Sequence, residues 1–367
     1  MIKKIKVGIL FGGKSAEHEI SLLSAKNVIA ALDPNKYEVV LVGIDKNGEW
    51  HLRDAYKFLI HADNPKLIHL DTPIENVALI PQENRESLVR LSGRGPAESL
   101  DIVFPILHGT YGEDGTVQGL LKMANIAFVG AGVLGSAIGM DKDVMKRLLR
   151  DASIPTAKFF SFTHANKEEI FFKDLEEKLG VPFFVKPANL GSSVGISKVK
   201  EESQFKKAID DAFMYDRKIV IEEFIAGREI ECSVLGNEHP VVSLPGEVIP
   251  LHEFYSYEAK YLDDQGALFN IPADLDKEMI EKLQDLAKKA YQVLCCEGMA
   301  RVDFFVTQEG KIYVNEINTI PGFTNISMYP KLWEVSGLPY KDLIDKLIAL
   351  AMDRHAKESA LKTHVTT

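Results

Sequence analysis

Two short segments near the C-terminal end carry the densest chemistry: MARVDFFVT at 299–307 and KIYVNEIN at 311–318. Both alternate in the manner of strands, and Gln308-Glu309-Gly310-Lys311 between them has the composition of a turn. A two-residue Glu-Gly turn would pair Gln308 with Lys311 and set Asp303 opposite Glu316 and Arg301 opposite Asn318. Side chains alternate with a period of two, so Arg301, Asp303, Glu316 and Asn318 share one face. Such a set cannot be left in a dry core. Carboxylates and an amide on neighbouring strands are the hard oxygen donors that Mg²⁺ takes when it also binds nucleotide phosphates. A solvated sheet face with cross-strand ion pairs would carry the same pattern, and a slip of one residue would move one strand's side chains to the other face.

A second segment, Lys186-Pro187-Ala188-Asn189-Leu190-Gly191-Ser192-Ser193-Val194-Gly195, leaves a strand and enters a Gly/Ser turn. Backbone N–H groups and hydroxyls in such a turn face anions, and glycine allows close approach. Lys186 at the strand end and Lys142 upstream add positive charge. A plain hairpin turn beside a surface lysine is the alternative. The letters G-x-x-x-x-G-K-S also occur at Gly8–Ser15. They fail physically as a phosphate loop, because Ile9, Leu10 and Phe11 belong to a strand and Gly8 would lie inside the sheet.

The elements that must position these groups follow from periodicity. Lys6–Phe11 reads as a strand, Glu19–Leu32 as a helix and Glu38–Asp45 as a second strand, a βαβ start that favours a parallel sheet. Residues 46–100 are mixed and polar with weak signals. Asp101–Leu107 is a buried strand, then comes the loop HGTYGEDG, a helix from Thr116 and a strand at Ile126–Val129. Further on, a helix near Lys142–Asp151, a strand at Ala157–Phe162 and a helix at Lys167–Leu179 precede Phe183–Lys186. A helix from Ser203 and the strand Lys218–Phe224 complete that unit. Arg228–Pro250 reads as strands with turns at Gly236-Asn237 and Pro245-Gly246, and Asp276–Cys296 as an amphipathic helix. A last helix covers Tyr340–Met352. The expected units are 1–130, 131–225 and 226–367.

The chain has 367 residues, Lys+Arg 43, Asp+Glu 53 and a formal net charge of -10. That length calls for two or three domains, and the acidic balance argues against nucleic acid and anionic membranes as partners. Cys232, Cys295 and Cys296 have no metal-ligand spacing, and the odd count argues against a disulfide framework, which fits a reducing, cytoplasmic compartment. The opening MIKKIKVGILFGG has too short an apolar run for a leader, and no stretch approaches a membrane span.

Taken together, FGGKSAEHEIS, LHGTYGEDGTVQG, GMDK, KPANLGSSVGISKV, IEEFIAGREIE, YSYEAKY, RVDFFV and NEINTIPGFT resemble the ATP-grasp enzymes and, more closely, the D-alanine–D-alanine ligase family. The resemblance implies an α/β (α+β) ATP-grasp fold with an N-terminal Rossmann-like parallel-sheet domain. It implies ATP held by Lys142, Lys186 and Ser193, with Glu222 and the Ile225 backbone at the adenine, Glu229 at the ribose and Lys260 on the transferred phosphate. Asp303, Glu316 and Asn318 would bind two Mg²⁺ ions, with Mn²⁺ able to substitute. Glu17 would hold the first D-alanine's ammonium and His108 would line that subsite. Arg301 and the Gly322 N–H would stabilise the oxyanion, and Ser327 and the Met328 backbone would receive the second carboxylate. Glu17, Ser192 and Tyr261 would form a chain that locks a loop over the site. Departures exist: the linker EEF lacks a lysine common in the family after the first glutamate. The intact Tyr257–Tyr261 loop favours the dipeptide over a D-alanyl–D-lactate product. The resemblance also suggests a homodimer through the N-terminal region.

Overall fold

The computed structural model describes residues 3–362, apart from 56, 63, 82–87, 94–95 and 252–266. The predicted Lys260 and Tyr261 lie outside the described residues.

Eight strands form the first sheet, in the order Ala127–Phe128, Ile102–Ile106, Ile5–Gly12, Tyr37–Ile44, Trp50–Arg53, Glu75–Leu79, Leu88–Arg90, Pro96–Glu98. The first four run parallel. The central strand Ile5–Gly12 is almost wholly buried, as a strand covered on both faces should be. Gly8 lies in its middle, paired with Val40 on one side and Val103 on the other, which removes the P-loop reading of its letters. The remaining four strands are antiparallel additions. They occupy the stretch that gave no clear signal in the sequence, because strands of three to five residues show little alternation.

One face of this sheet packs on the helices His18–Ala31 and Tyr340–Ser359 through Leu22, Val28, Leu343 and Leu347. The last helix is thus seven residues longer than the sequence pattern indicated, ending at Ser359 rather than Met352. Arg354 near its end donates to the carbonyls of Gly130 (2.6 Å) and Phe128 (2.8 Å), tying it to the parallel strands. Helix Thr116–Met123 covers the opposite face.

The second sheet is antiparallel, in the order Phe159–Thr163, Lys218–Glu223, Phe183–Pro187, Ser197–Val199. Helices Phe172–Leu179 and Glu202–Phe213 cover one face of it. The helix expected at Lys167–Leu179 is two pieces, a 3₁₀ turn at His164–Glu169 and an α-helix from Phe172, divided at Ile170 and Phe171, which have extended backbone.

The third sheet runs Ala267–Asn270, Gly246–Pro250, Arg228–Gly236, Gly298–Val306, Ile312–Asn318, with Val241–Val242 paired to its middle strand. Gly246 opens a strand rather than sitting in a turn, because Met328 and Leu332 pack where its side chain would be. Helices Lys142–Asp151 and Lys277–Val293 bury the apolar face, on which Val302, Phe304, Val306, Val314 and Ile317 are nearly inaccessible. The opposite face looks across at the second sheet. Two helices had no counterpart in the sequence pattern, Val133–Met140 and Met328–Val335. Among the described residues no helix is long and apolar enough to cross a membrane.

Candidate active site

The hairpin reaches the expected pairing by a different route. Asp303 faces Glu316 and Arg301 faces Asn318, but closer to the turn Val306 pairs with Ile312 and Phe305 with Tyr313. The turn is longer than two residues: Thr307 N–H donates to Lys311 O and Gly310 N–H to Thr307 O. A bulge between Asp303 and Phe304 absorbs Asn315 as the extra residue and restores the register. As a result Tyr313 lies off the apolar face and Val314 stands on it, 1% exposed. Arg301, Asp303, Glu316 and Asn318 stand half-buried on the face that lines a cavity.

Arg301 donates to both oxygens of Asp303, Nε to Oδ1 at 2.7 Å and Nη2 to Oδ2 at 2.7 Å, and lies 3.0 Å from Glu231 Oε2. Burial alone would favour its neutral form, but the carboxylates of Asp303 and Glu231 outweigh that and hold the guanidinium firmly charged. Glu231 pairs with Asp303 across neighbouring strands. It was missed in the sequence, although the spacing of Glu229 and Glu231 by two already put both on one face.

Around this face the cavity gathers Glu17, His108, Glu113, Lys142, Gly191, Ser192, Gly322, Ser327 and Met328 from elements scattered along the chain. Glu17 begins helix His18–Ala31 just after the central parallel strand, and its carboxylate accepts a hydrogen bond from Ser192. Gly109 is packed so closely that a Cβ there would lie 2.7 Å from Glu17 Oε2, and its φ of +73° suits glycine. His108 is buried, with one ring nitrogen 3.1 Å from Ser24 Oγ and the other 3.0 Å from Ile320 O. Burial holds it below the usual imidazole range against the opposing charge of Glu17. Both nitrogens are therefore engaged by the protein, and His108 shapes the wall of the cavity.

Glu113 was quoted within HGTYGEDG but given no role. Its Oε2 accepts the Gly109 N–H at 2.8 Å. Burial, then the charge of Glu17, push its carboxyl well above the usual range. At the far end, Ser327 begins helix Met328–Val335. Its hydroxyl receives the Thr324 N–H at 3.0 Å and meets Thr324 Oγ1 at 2.8 Å, so it does not cap the helix's first N–H groups, and Ser327 and Met328 line the cavity. A helix N-terminus of this kind suits a carboxylate.

A second cavity adjoins the first and shares Lys142, Leu190, Gly191, Ser192 and Glu316 with it. It lies between the second and third sheets. Phe184 and Ile196 line it from one side and Phe305 from the other, a slot suited to a flat ring. Lys186, Ser193, Glu222, Ile225 and Glu229 also line it. Lys142 donates to Leu190 O at 2.6 Å, and burial lowers its pKa against the charge of Glu316. Glu222 is 2% exposed and sits between Lys186, which donates to Oε1, and Lys146, 2.9 Å from Oε2. Burial would raise its pKa, but the two lysines hold it at about 2. Lys146 too was missed. It follows Lys142 by four residues, so one helix face carries both. Lys14 lies in neither cavity, and lines a groove with Trp50 at the end of the parallel sheet.

The structure thus brings together every predicted site residue within the described residues. One cavity is lined by the acidic side chains Glu17 and Glu113 and by the start of helix Met328–Val335. The other holds a flat slot with lysines and a Gly/Ser loop, and the acidic hairpin lies at their junction. Glu316 lines both cavities and Asn318 the first, while Asp303 stands beside them held by Arg301; their oxygens are hard donors of the kind that fits Mg²⁺ and not a softer metal.

Comparison with known proteins decides the family. The family described as D-ala D-ala ligase N-terminus matches residues 6–131, and D-ala D-ala ligase C-terminus matches residues 148–349. The chain belongs to the D-alanine–D-alanine ligase family. It is 55% identical to a D-alanine–D-alanine ligase of Oceanobacillus iheyensis over 98% of each chain. It is 53% identical to D-alanine–D-alanine ligase A of Escherichia coli K12, over 99% of this chain and 100% of that one. A solved D-alanine–D-alanine ligase structure from Coxiella burnetii superposes with a TM-score of 0.84 at 40% identity, covering 97% of this chain and 96% of that one. The mixed α/β, ATP-grasp class expected for the ligase family agrees with the three sheets described above.

Proposed function

We infer that this chain is an ATP-dependent ligase that joins two D-alanine molecules into D-alanyl–D-alanine through a D-alanyl phosphate, releasing ADP and phosphate. The observation that supports this reading is the junction of the two cavities through Lys142, Leu190–Ser192 and Glu316, where a nucleotide's phosphates in one would lie beside an amino acid's carboxylate in the other. The relatives described above are dipeptide ligases by name, which favours an amine over the hydroxyl of D-lactate as nucleophile.

In this reading Glu17 binds the ammonium of the first D-alanine beside His108. The carboxylate oxygen of that substrate attacks the γ-phosphorus of ATP, and ADP leaves. Lys142, Lys186 and the loop Gly191–Ser193 neutralise the phosphate oxygens, and the charge they supply is worth most in a site shielded from water. Lys260 would contact the transferred phosphate and Tyr261 would join Glu17 and Ser192 in closing the site. Asp303, Glu316 and Asn318 would hold two Mg²⁺ ions, replaceable by Mn²⁺, which supply charge stabilisation to the phosphoryl group. The second D-alanine docks its carboxylate on Ser327 and the Met328 N–H. Its amine, once deprotonated, attacks the acyl carbonyl. Arg301 and the Gly322 N–H hold the oxyanion until phosphate departs. Glu222 and the Ile225 backbone meet the adenine and Glu229 the ribose.

We also propose a division at residues 130 and 225 into an N-terminal unit and two ATP-grasp units, a cytoplasmic location, service to peptidoglycan precursor synthesis, and a homodimer. The test is turnover of ATP with Mg²⁺ and D-alanine alone, L-alanine alone, or D-alanine with D-lactate, reading phosphate and product mass. D-alanyl–D-alanine from D-alanine alone is the expected product. An ester formed only with D-lactate would move the chain to depsipeptide synthesis, and silence in all three would overturn the reading.

A further inference from the structure

Lys146 is more deeply buried than Lys142 or Lys186, 1% exposed, and does not itself line the second cavity. Lysine is almost never buried to this extent without a partner. Its Nζ lies 2.9 Å from Glu222 Oε2 and 3.0 Å from Thr156 Oγ1, while Lys186 donates to the other oxygen of Glu222. Each carboxylate oxygen thus faces its own ammonium. An ionised carboxylate only accepts hydrogen bonds, whereas a neutral one also donates. Glu222 is a buried polar group on the wall that carries Phe184, Ile196 and Ile225, within the lining that the edge of a flat ring held in the slot would meet. An acceptor there pairs with an amino group and repels a carbonyl oxygen, and a mismatch of this kind leaves buried polar groups unpaired.

We propose that Lys146 is a positioning residue for nucleobase selection: from behind the cavity wall it fixes Glu222 as an acceptor-only carboxylate, so that the slot takes a 6-amino purine and rejects a 6-oxo purine. This rests on the nucleotide reading of that cavity. Lys146 contacts no ligand itself and acts through Glu222, with Thr156 holding its ammonium from the other side.

The experiment compares MgATP with MgITP in steady-state turnover and in thermal shift, for the wild type, Lys146→Met, Glu222→Gln and the double variant. The wild type prefers ATP by roughly 100-fold or more in kcat/KM. Lys146→Met lowers that preference about tenfold, through a higher KM for ATP with kcat within about threefold of wild type. In the double variant the loss is no greater than in Glu222→Gln alone, because the two residues act as one unit. A Lys146→Met protein with a lower melting temperature but unchanged KM and ATP-to-ITP ratio would make Lys146 a packing residue and overturn the proposal. Should that variant fail to fold, Thr156→Val removes the other anchor and reduces the ratio about threefold, since one hydrogen bond is lost; an unchanged ratio overturns the proposal equally. A wild type stabilised by both nucleotides alike sinks the proposal and leaves the nucleotide site standing. A wild type stabilised by neither sinks the nucleotide reading itself.

Discussion

Ser192 donates a hydrogen bond to Glu17 across 175 residues of chain, joining the Gly/Ser loop of the second sheet to the first helix of the parallel-sheet unit. Ser192 and Ser193 both hold positive φ, 52° and 60°, so the loop is bent into a shape that exposes its N–H groups and brings the hydroxyl to Glu17. The contact orients the carboxylate at the acidic end of the cavity. Ser192→Ala should therefore raise KM for the first D-alanine roughly tenfold, the worth of one charge-assisted hydrogen bond, with a smaller effect on ATP binding. Glu17→Gln, which removes the charge that meets the ammonium, should cost more than Ser192→Ala. Initial rates over a two-substrate concentration grid separate these effects. Equal KM values for Ser192→Ala and wild type would leave the contact without a role in substrate binding.

Glu113 shares the cavity with Glu17, and burial together with Glu17's charge pushes its carboxyl well above the usual range. A carboxyl group raised in this way favours its neutral form. Gln reproduces the neutral form, so Glu113→Gln should retain at least about a third of wild-type kcat/KM for D-alanine. Glu113→Ala removes the acceptor of the Gly109 N–H, strands a buried donor, and should lose about 1–3 kcal/mol of stability with a matching fall in activity. Denaturant titration and kinetics on the two variants check this. A Gln variant as damaged as the Ala variant would mean the ionised form is the one required.

Much of this arrangement was legible in the sequence, for reasons that differ by element. The parallel strands read clearly because Val7–Phe11 and Ile102–Ile106 are apolar without interruption. The hairpin's face read clearly because acidic residues at alternate positions have no place in a core. Its turn did not, because a bulge at Asn315 leaves no mark in composition, and the correct pairing of Asp303 with Glu316 survived only because bulge and longer turn offset one another. Lys146 and Glu231 escaped notice because a charged residue on a periodic segment looks like a solvated one until tertiary packing buries it. Helix Met328–Val335 was hidden by Pro330, which is tolerated within the first turn of a helix but usually signals a break.

Asp303 carries two relationships at once, a two-point contact with Arg301 and a position facing Glu316. Asp303→Asn keeps the shape, removes the charge and leaves Arg301 with Glu231 as its remaining acidic partner. Turnover should fall by a factor of about 100 or more, as expected when a charge-stabilising group is lost, and the Mg²⁺ concentration for half-maximal activity should rise. The measurement is phosphate release against Mg²⁺. A normal Mg²⁺ curve with low kcat would place Asp303 in service of Arg301 alone.

The lysine-held Glu222 gives a prediction about acid. Its pKa is depressed to about 2, below the ordinary value of 4.5 that applies in the unfolded chain. The unfolded chain therefore binds the proton first. The stabilisation is fully present above about pH 4.5 and is lost as pH falls through 4.5 toward about 2. Glu222→Gln should be less stable than wild type at pH 7, because two buried lysines lose their carboxylate, and the difference should shrink between pH 4.5 and pH 2.5. Urea unfolding at several pH values reads it. A difference independent of pH over that range would show that Glu222 contributes by packing and not by charge.

Gly322 makes the last case, because it separates the two halves of the reaction. A Cβ at this position would lie 2.7 Å from Ser327 Oγ, so Ala cannot enter without displacing the hydroxyl at the start of helix Met328–Val335. Ser327 and Gly322 are assigned to the second D-alanine and the oxyanion, whereas Glu17 and the lysines are assigned to the first D-alanine and ATP. Gly322→Ala should therefore leave formation of the acyl phosphate nearly intact and impair its capture. Hydroxylamine added to the reaction traps the acyl phosphate as a hydroxamate whether or not a second D-alanine binds. The expected result is hydroxamate formation within about threefold of wild type, with dipeptide synthesis reduced roughly 100-fold because the displaced Ser327 no longer binds the second substrate. Equal loss of both products would place Gly322 in the first step as well, and the division of the cavity into two ends would then be wrong.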